Sequence, residues 1–166
     1  TVASGIEAVT KRELESLGYE PGPAIFGRIG FKGDFSDVAR ANIFLRTANH
    51  VYVNLCEFTA DTFDALFDGL IGYRFEDVLP ENAKFTVDAK SNKSKLYALS
   101  AIQKVGKKAI AERLMRAYKT GTLSETGAEY HIEINIVNDV ATVCLDTSGE
   151  GLHKRGYRPI MGLAPM

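Results

Sequence analysis

The chain has 166 residues, with 20 Lys and Arg against 21 Asp and Glu, giving a formal net charge of -1 and a pI near 6.3. Such a balance excludes a protein that coats nucleic acid indiscriminately, and 45% hydrophobic with 25% charged residues excludes disorder, collagen-like repeats and low complexity. The two cysteines, Cys56 and Cys144, exclude a disulfide framework or a CxxC site and point to a reducing compartment.

No run of apolar residues is long enough for a transmembrane helix, and the N-terminus lacks the blocks of a signal peptide, so a cytoplasmic location is expected. The start at Thr1 without methionine and the stop at Met166 suggest a piece of something longer.

In chain order, Thr1 to Ala3 is β-prone, and Ser4-Gly5-Ile6-Glu7 has the form of a capping box opening a helix. Ile6, Val9, Leu14 and Leu17 would form its apolar stripe, and Gly18 would end it in a left-handed cap. Ala24 to Phe31 carries β-formers interrupted by glycine, and Gly33-Asp34 marks a turn. A second helix is expected from Ser36 to about Ala48, with Val38, Ala41 and Leu45 on one side. Val51 to Phe58 predicts a strand. Asp61-Thr62 then caps a helix carrying Phe63, Leu66, Phe67 and Leu70.

After the break at Pro80, Lys84 to Ala89 predicts a strand, Lys90 to Lys95 a loop, and Ser100 to Tyr118 the longest helix. Tyr130 to Val137 alternates Ile132, Ile134 and Ile136, and Val140 to Leu145 follows across Asn138-Asp139, a tight hairpin signal. Alternating strands and helices that end in an antiparallel hairpin imply an α+β fold of two open-faced units. The boundary between them falls between Asn54 and Asp61.

Charge is segregated along the chain. Lys84 to Lys119 holds ten bases and two acids, a net of +8, and the remainder carries -9. On the long helix, Lys104, Lys107, Lys108 and Lys119 fall within an arc of about 120°, facing away from Ile102, Val105, Gly106, Ala109 and Ala117. The loop residues Lys90, Ser91, Asn92, Lys93, Ser94 and Lys95 combine ammonium charge with directed donors, a pairing that suits phosphate oxygens. A lysine face kept for solubility would look similar, but acids are scarce and a donor-rich loop is adjacent. A polyanion surface is therefore expected, nucleic acid ahead of membrane because the helix has no bulky apolar insertion face. Arg155, Tyr157 and Arg158, after His153 and Lys154, form a second cluster suited either to phosphate contact and base stacking or to a structural tail.

Signals for catalysis are absent. His50, His131 and His153 have no ligand spacing; His131-Ile132-Glu133 lacks the PCxxC partner of zinc deaminases. GxSxG, Walker, GxGxxG and SxxK motifs do not occur. Asp61, Asp64 and Asp68 suit a helix N-terminus better than acid–base work.

The opening TVASGIEAVTKRELESLGYE, DVARANIFLRTANHVYVNLCEF, AKSNKSKLYALSAIQKVGKKAIAERL and above all LDTSGEGLHKRGYR followed by GLAP together resemble the N-terminal region of bacterial THUMP-domain RNA methyltransferases, similar to the large-subunit rRNA guanine-N2-methyltransferases. The resemblance implies a ferredoxin-like domain over 1–56, a THUMP RNA-binding domain over 57–155, and a linker over 156–166 toward a catalytic domain that would hold S-adenosylmethionine. It implies structured RNA as partner, ribosomal ahead of transfer RNA, with no metal, no membrane and no catalytic or cofactor residue in this stretch. RNA contact is expected at Lys90, Ser91, Lys93, Ser94, Lys95, Lys104, Lys107, Lys108, Arg155, Tyr157 and Arg158. THUMP modules of thiolation, pseudouridylation or tRNA methylation enzymes, and a protein-interaction module with a basic docking face, are the alternatives.

Overall fold

The computed structural model describes residues 1–25 and 27–154. The chain adopts the expected α+β class and divides into two compact units, one formed by Thr1–Tyr52 with the segment that starts at Thr147, the other by Val53–Asp146.

In the first unit, helix α1 (Glu7–Ser16) starts later than a Ser4 capping box would place it and has no side-chain cap. Gly5, at φ +96°, turns the chain away from the path such a box needs, and its N–H donates to Glu7 Oε2 at 2.7 Å. The predicted left-handed exit is present: Gly18 has φ +88°, and the Tyr19 N–H reaches back to the Leu14 carbonyl at 3.0 Å. The buried stripe is rotated from the expected one. Thr10 and Leu14 are buried while Ile6 and Val9 are exposed, because the Thr10 hydroxyl finds a partner in Thr47 Oγ1 at 2.6 Å.

Strands β1 (Ala24–Ile25) and β2 (Arg28–Ile29) form a small antiparallel pair. Asp34 caps α2 (Phe35–Phe44), accepting from the N–H groups of Ser36 and Asp37 while Asp37 accepts from the Asp34 N–H. Helix α2 stops short of Ala48 because Leu45 turns extended, at φ -70° and ψ 124°, and Ala48 instead bridges Val2.

The segment from Thr147 is stitched back into this unit. The N–H and Oγ1 of Thr147 both donate to the Val51 carbonyl, at 3.0 and 2.8 Å. Ser148 Oγ accepts from the Val51 N–H at 2.8 Å and donates to Asn42 Oδ1 at 2.7 Å. Leu152 then joins Leu14, Ala41, Leu45, Ala48 and Val51 in the core.

The second unit is built on β3 (Tyr52–Thr59), β4 (Lys84–Asn92), β5 (Glu129–Val137) and β6 (Val140–Asp146), in the sheet order β3-β6-β5-β4. β4 is parallel to β5, and β5 antiparallel to β6. Helix α3 (Phe63–Gly72) is capped by the Thr62 hydroxyl, a single 3-10 turn spans Phe75–Asp77, and α4 (Leu99–Tyr118) is the longest helix described. The inward sheet residues Phe85, Val87, Ala89, Ile132, Ile134, Ile136, Ala141 and Val143 share one core with Leu66, Leu70, Ile102, Ile110 and Leu114 of the helices.

Gly106 sets how closely α4 lies on this sheet. A Cβ there would fall 2.5 Å from Ile134 Cδ1 and 3.2 Å from Val87 Cγ1. About two turns further on, Arg113 Nε donates to Glu76 Oε2 at 2.9 Å and Nη2 bonds Oε1, tying α4 to the 3-10 turn. Tyr118 Oη adds a bond to the Leu79 carbonyl at 2.7 Å.

The Arg113 bond holds the Glu76 carboxyl at about 2, against an ordinary 4.5. A carboxylate lowered on folding adds stability above its unfolded value and loses it as pH falls toward the folded one. Glu76→Gln should therefore cost about 1–3 kcal/mol near neutral pH. The deficit should close between pH 4.5 and 2, as followed by chemical denaturation across that range. A constant deficit would assign the cost to packing.

Candidate nucleic-acid interface

The basic segment folds into the end of β4, the β4–α4 loop and the outer face of α4. The expected loop is shorter than its composition suggested. Lys90, Ser91 and Asn92 are strand residues, paired in register with Asn135, Ile136 and Val137, because ladder bonding to β5 outweighs the polar side chains. From Lys93, which has φ +50°, the chain leaves the sheet and enters α4 through Leu96, Tyr97 and Ala98 without a side-chain cap.

The β5–β6 turn braces this loop. Asn138 and Asp139 both have positive φ, +50° and +63°, as a tight hairpin requires. Asp139 Oδ1 accepts from the Lys95 N–H at 2.7 Å, and the Asp139 N–H donates to Ser94 Oγ at 3.1 Å. Ser94 Oγ also donates to the Asn92 carbonyl at 2.9 Å, and Ser91 Oγ to the Leu96 carbonyl. The two serines expected to donate to RNA thus give their protons to the loop itself.

The lysines divide by partner. Lys90 Nζ lies 2.8 Å from Glu133 Oε2, whose residue is only 5% exposed, so its charge serves the sheet. Lys95 pairs with Asp61 at 2.9 Å and Lys107 with Glu125 at 3.6 Å, both on open surface. The Lys95 bond lowers the Asp61 carboxyl and raises the Lys95 ammonium. Lys84, Arg113 and Arg116 are also paired, with Glu129, Glu76 and Glu112. Lys93, Lys104 and Lys108 are exposed and have no ion pair among the described residues, although Lys108 Nζ lies 5.7 Å from the Phe67 ring centre.

Lys119 is not on the helical arc. It is the left-handed residue that ends α4, at φ +53°. Lys154 lies 3.9 Å from Glu150, and Arg155, Tyr157 and Arg158 lie outside the described residues.

Two residues escaped the sequence reading. Tyr97 is 81% exposed inside the basic loop, a ring available for stacking; its place between Lys95 and α4 was the available signal. Asp139 was visible only as a turn residue, since its bonds to residues 44 and 45 positions away leave no local pattern.

The division of lysines is testable by stability. Lys90→Met should cost about 1–3 kcal/mol by removing the ammonium bonded to buried Glu133, whereas Lys93→Met should stay within about 0.5 kcal/mol of the parent. Thermal denaturation of the two variants checks this, and equal costs would deny Lys90 its structural role.

Comparison with known proteins accords with this geometry. Residues 1–52 match the model of the RlmL ferredoxin-like domain, and residues 60–146 that of the THUMP domain. A Bacillus subtilis (strain 168) protein provisionally named RNA methyltransferase YpsC is 44% identical across the whole chain, which covers 43% of that protein. The ribosomal RNA large subunit methyltransferase K/L of Methylococcus capsulatus is 31% identical, with 100% of this chain and 23% of that protein covered. A crystal structure from Listeria monocytogenes, described as a predicted N6-adenine-specific DNA methylase, superposes with a TM-score of 0.92 at 46% identity, covering 100% of this chain and 44% of that one. The chain thus spans less than half the length of these relatives. No helix among the described residues is long and apolar enough to cross a membrane. With its second unit matched by the THUMP model and its first by the RlmL ferredoxin-like model, the chain belongs to the THUMP-domain family.

Proposed function

We propose that this region is the RNA-recognition part of an RNA methyltransferase, acting on a guanine N2 of large-subunit ribosomal RNA. The carrying observation is the set of open cations, Lys93, Lys104 and Lys108, around an exposed and braced loop of a THUMP domain. The relatives' names support methyl transfer, and one of them names ribosomal RNA. S-adenosylmethionine is the donor implied by such names, and we assign none of these residues to it. A ribosomal substrate places the protein in the cytoplasm.

The mechanism is electrostatic capture. Lysines displace counterions from the phosphate backbone, and a target held by one part of a protein is presented to a linked catalytic part at high effective concentration. Lys95 and Lys107 are in exposed ion pairs of the kind that contribute little to stability, so phosphate can replace their carboxylates. The Tyr97 ring adds a stacking surface for an unpaired base.

Binding of the intact protein to a ribosomal RNA fragment should weaken steeply with salt. A Lys93→Ala/Lys104→Ala/Lys108→Ala variant should reduce the slope of log affinity against log salt by about 2–3. Tyr97→Ala should weaken RNA with unpaired nucleotides by about 1–3 kcal/mol and leave blunt duplex nearly unchanged. Fluorescence anisotropy titrations measure both. An unchanged slope removes this surface from the reading, and equal binding of a DNA duplex of the same sequence would favour the target suggested by the Listeria protein's description.

A further inference from the structure

We propose that Asp139 is a positioning residue for RNA binding: an acid set inside a basic surface that raises RNA affinity through the loop it holds. The inference rests on the RNA-binding reading of this surface. By charge alone Asp139 is unfavourable there, since a carboxylate near bound phosphate repels it.

Turn chemistry does not require the carboxylate. Both turn residues are left-handed, a conformation that glycine adopts without strain, and Asn-Gly is among the strongest sequences for such a turn. What glycine lacks is the Oδ1 that accepts the Lys95 N–H at 2.7 Å.

The remaining hydrogen bonds of residue 139 are made by its backbone. Its N–H donates to Ser94 Oγ, and its carbonyl accepts from the Ala60 N–H at 2.7 Å. Asn138 N–H donates to the Asn92 carbonyl at 3.2 Å. Ala60 is fully buried and directly precedes Asp61, whose carboxylate holds Lys95 Nζ. The turn therefore grips Lys95 at both ends: its backbone through the Asp139 side chain, its ammonium through the segment that carries Asp61. A loop ordered in advance loses less conformational freedom on binding.

Two substitutions separate positioning from charge. Asp139→Asn keeps an oxygen able to accept the Lys95 N–H and removes the negative charge; Asp139→Gly removes both and spares the backbone bonds. In anisotropy titrations with the intact protein and the ribosomal RNA fragment, Asp139→Asn should bind as tightly as the parent or tighter. Asp139→Gly should bind about fivefold more weakly despite its gain in net positive charge. Ser94→Ala, which leaves charge unchanged, should weaken binding in the same direction.

Hydrogen exchange at the Lys95 amide should accelerate about tenfold or more in Asp139→Gly and stay near the parent rate in Asp139→Asn. Equal or tighter binding by both Asp139 variants would overturn the proposal. If Asp139→Gly proves unstable, unchanged RNA affinity in Ser94→Ala would overturn it instead. Failure of the parent protein to bind RNA would overturn the functional reading beneath it, an outcome distinct from parental binding that the variants leave unaltered.

Discussion

The close approach of α4 to the sheet at Gly106 governs both the stability and the charge of the second unit. With no side chain at that position, Ile134 and Val87 occupy the space a Cβ would take, and the helix is fixed in rotation as well as distance. Ile102, Ala109, Ile110 and Leu114 then lie in the core, and Lys104, Lys107 and Lys108 remain exposed. A rotation by one residue, about 100°, would drive lysine ammonium groups against the apolar sheet, where an unpaired charge is very costly. The observed orientation also places Arg113 opposite Glu76, so the least exposed cation of α4 is the one with a bidentate partner.

Charge counted along the chain and charge arranged by the fold are different quantities. The +8 of residues 84–119 meets five acids drawn from elsewhere in the sequence: Asp61, Glu76, Glu125, Glu129 and Glu133. What survives is a smaller set of open cations, Lys119 at the end of α4 and Lys93, Lys104 and Lys108, the last three bordered by lysines in exchangeable surface pairs. Fewer but better placed charges favour a bound orientation over uniform attraction, because long-range attraction alone carries no geometry.

Much of this was written in local sequence. The Ile132, Ile134, Ile136 alternation, the Asn138-Asp139 turn, the Thr62 cap and the Gly18 exit each depend on neighbours a few residues away, and each appears where expected. The misses share a physical cause in long-range contact. β4 extends through Lys90 to Asn92 because a distant strand supplies its ladder. Thr10 is buried because Thr47 satisfies it, and the DTSGEGL stretch returns to the first unit through Val51, Asn42 and Asn49. In that stretch Thr147, Ser148 and Leu152 have structural work sufficient to explain their presence. The basic cluster at Arg155, Tyr157 and Arg158 lies outside the described residues. Of the expected interface, the lysines were visible as charge, but which of them were already engaged was not.

That engagement orders the events of capture. An approaching phosphate meets Lys93 and Lys104 without displacing anything, whereas at Lys95 and Lys107 it must compete with Asp61 and Glu125. Salt weakens both the phosphate contact and the carboxylate pair it replaces, so these two lysines contribute less to the salt dependence of binding than their charge suggests. Their contribution is instead directional, since a lysine released from a fixed carboxylate starts from a defined position. Lys95 is the clearest case: its backbone is bonded to Asp139 and its ammonium to Asp61, so exchanging one oxygen acceptor for another moves only the end of a side chain whose base is already held.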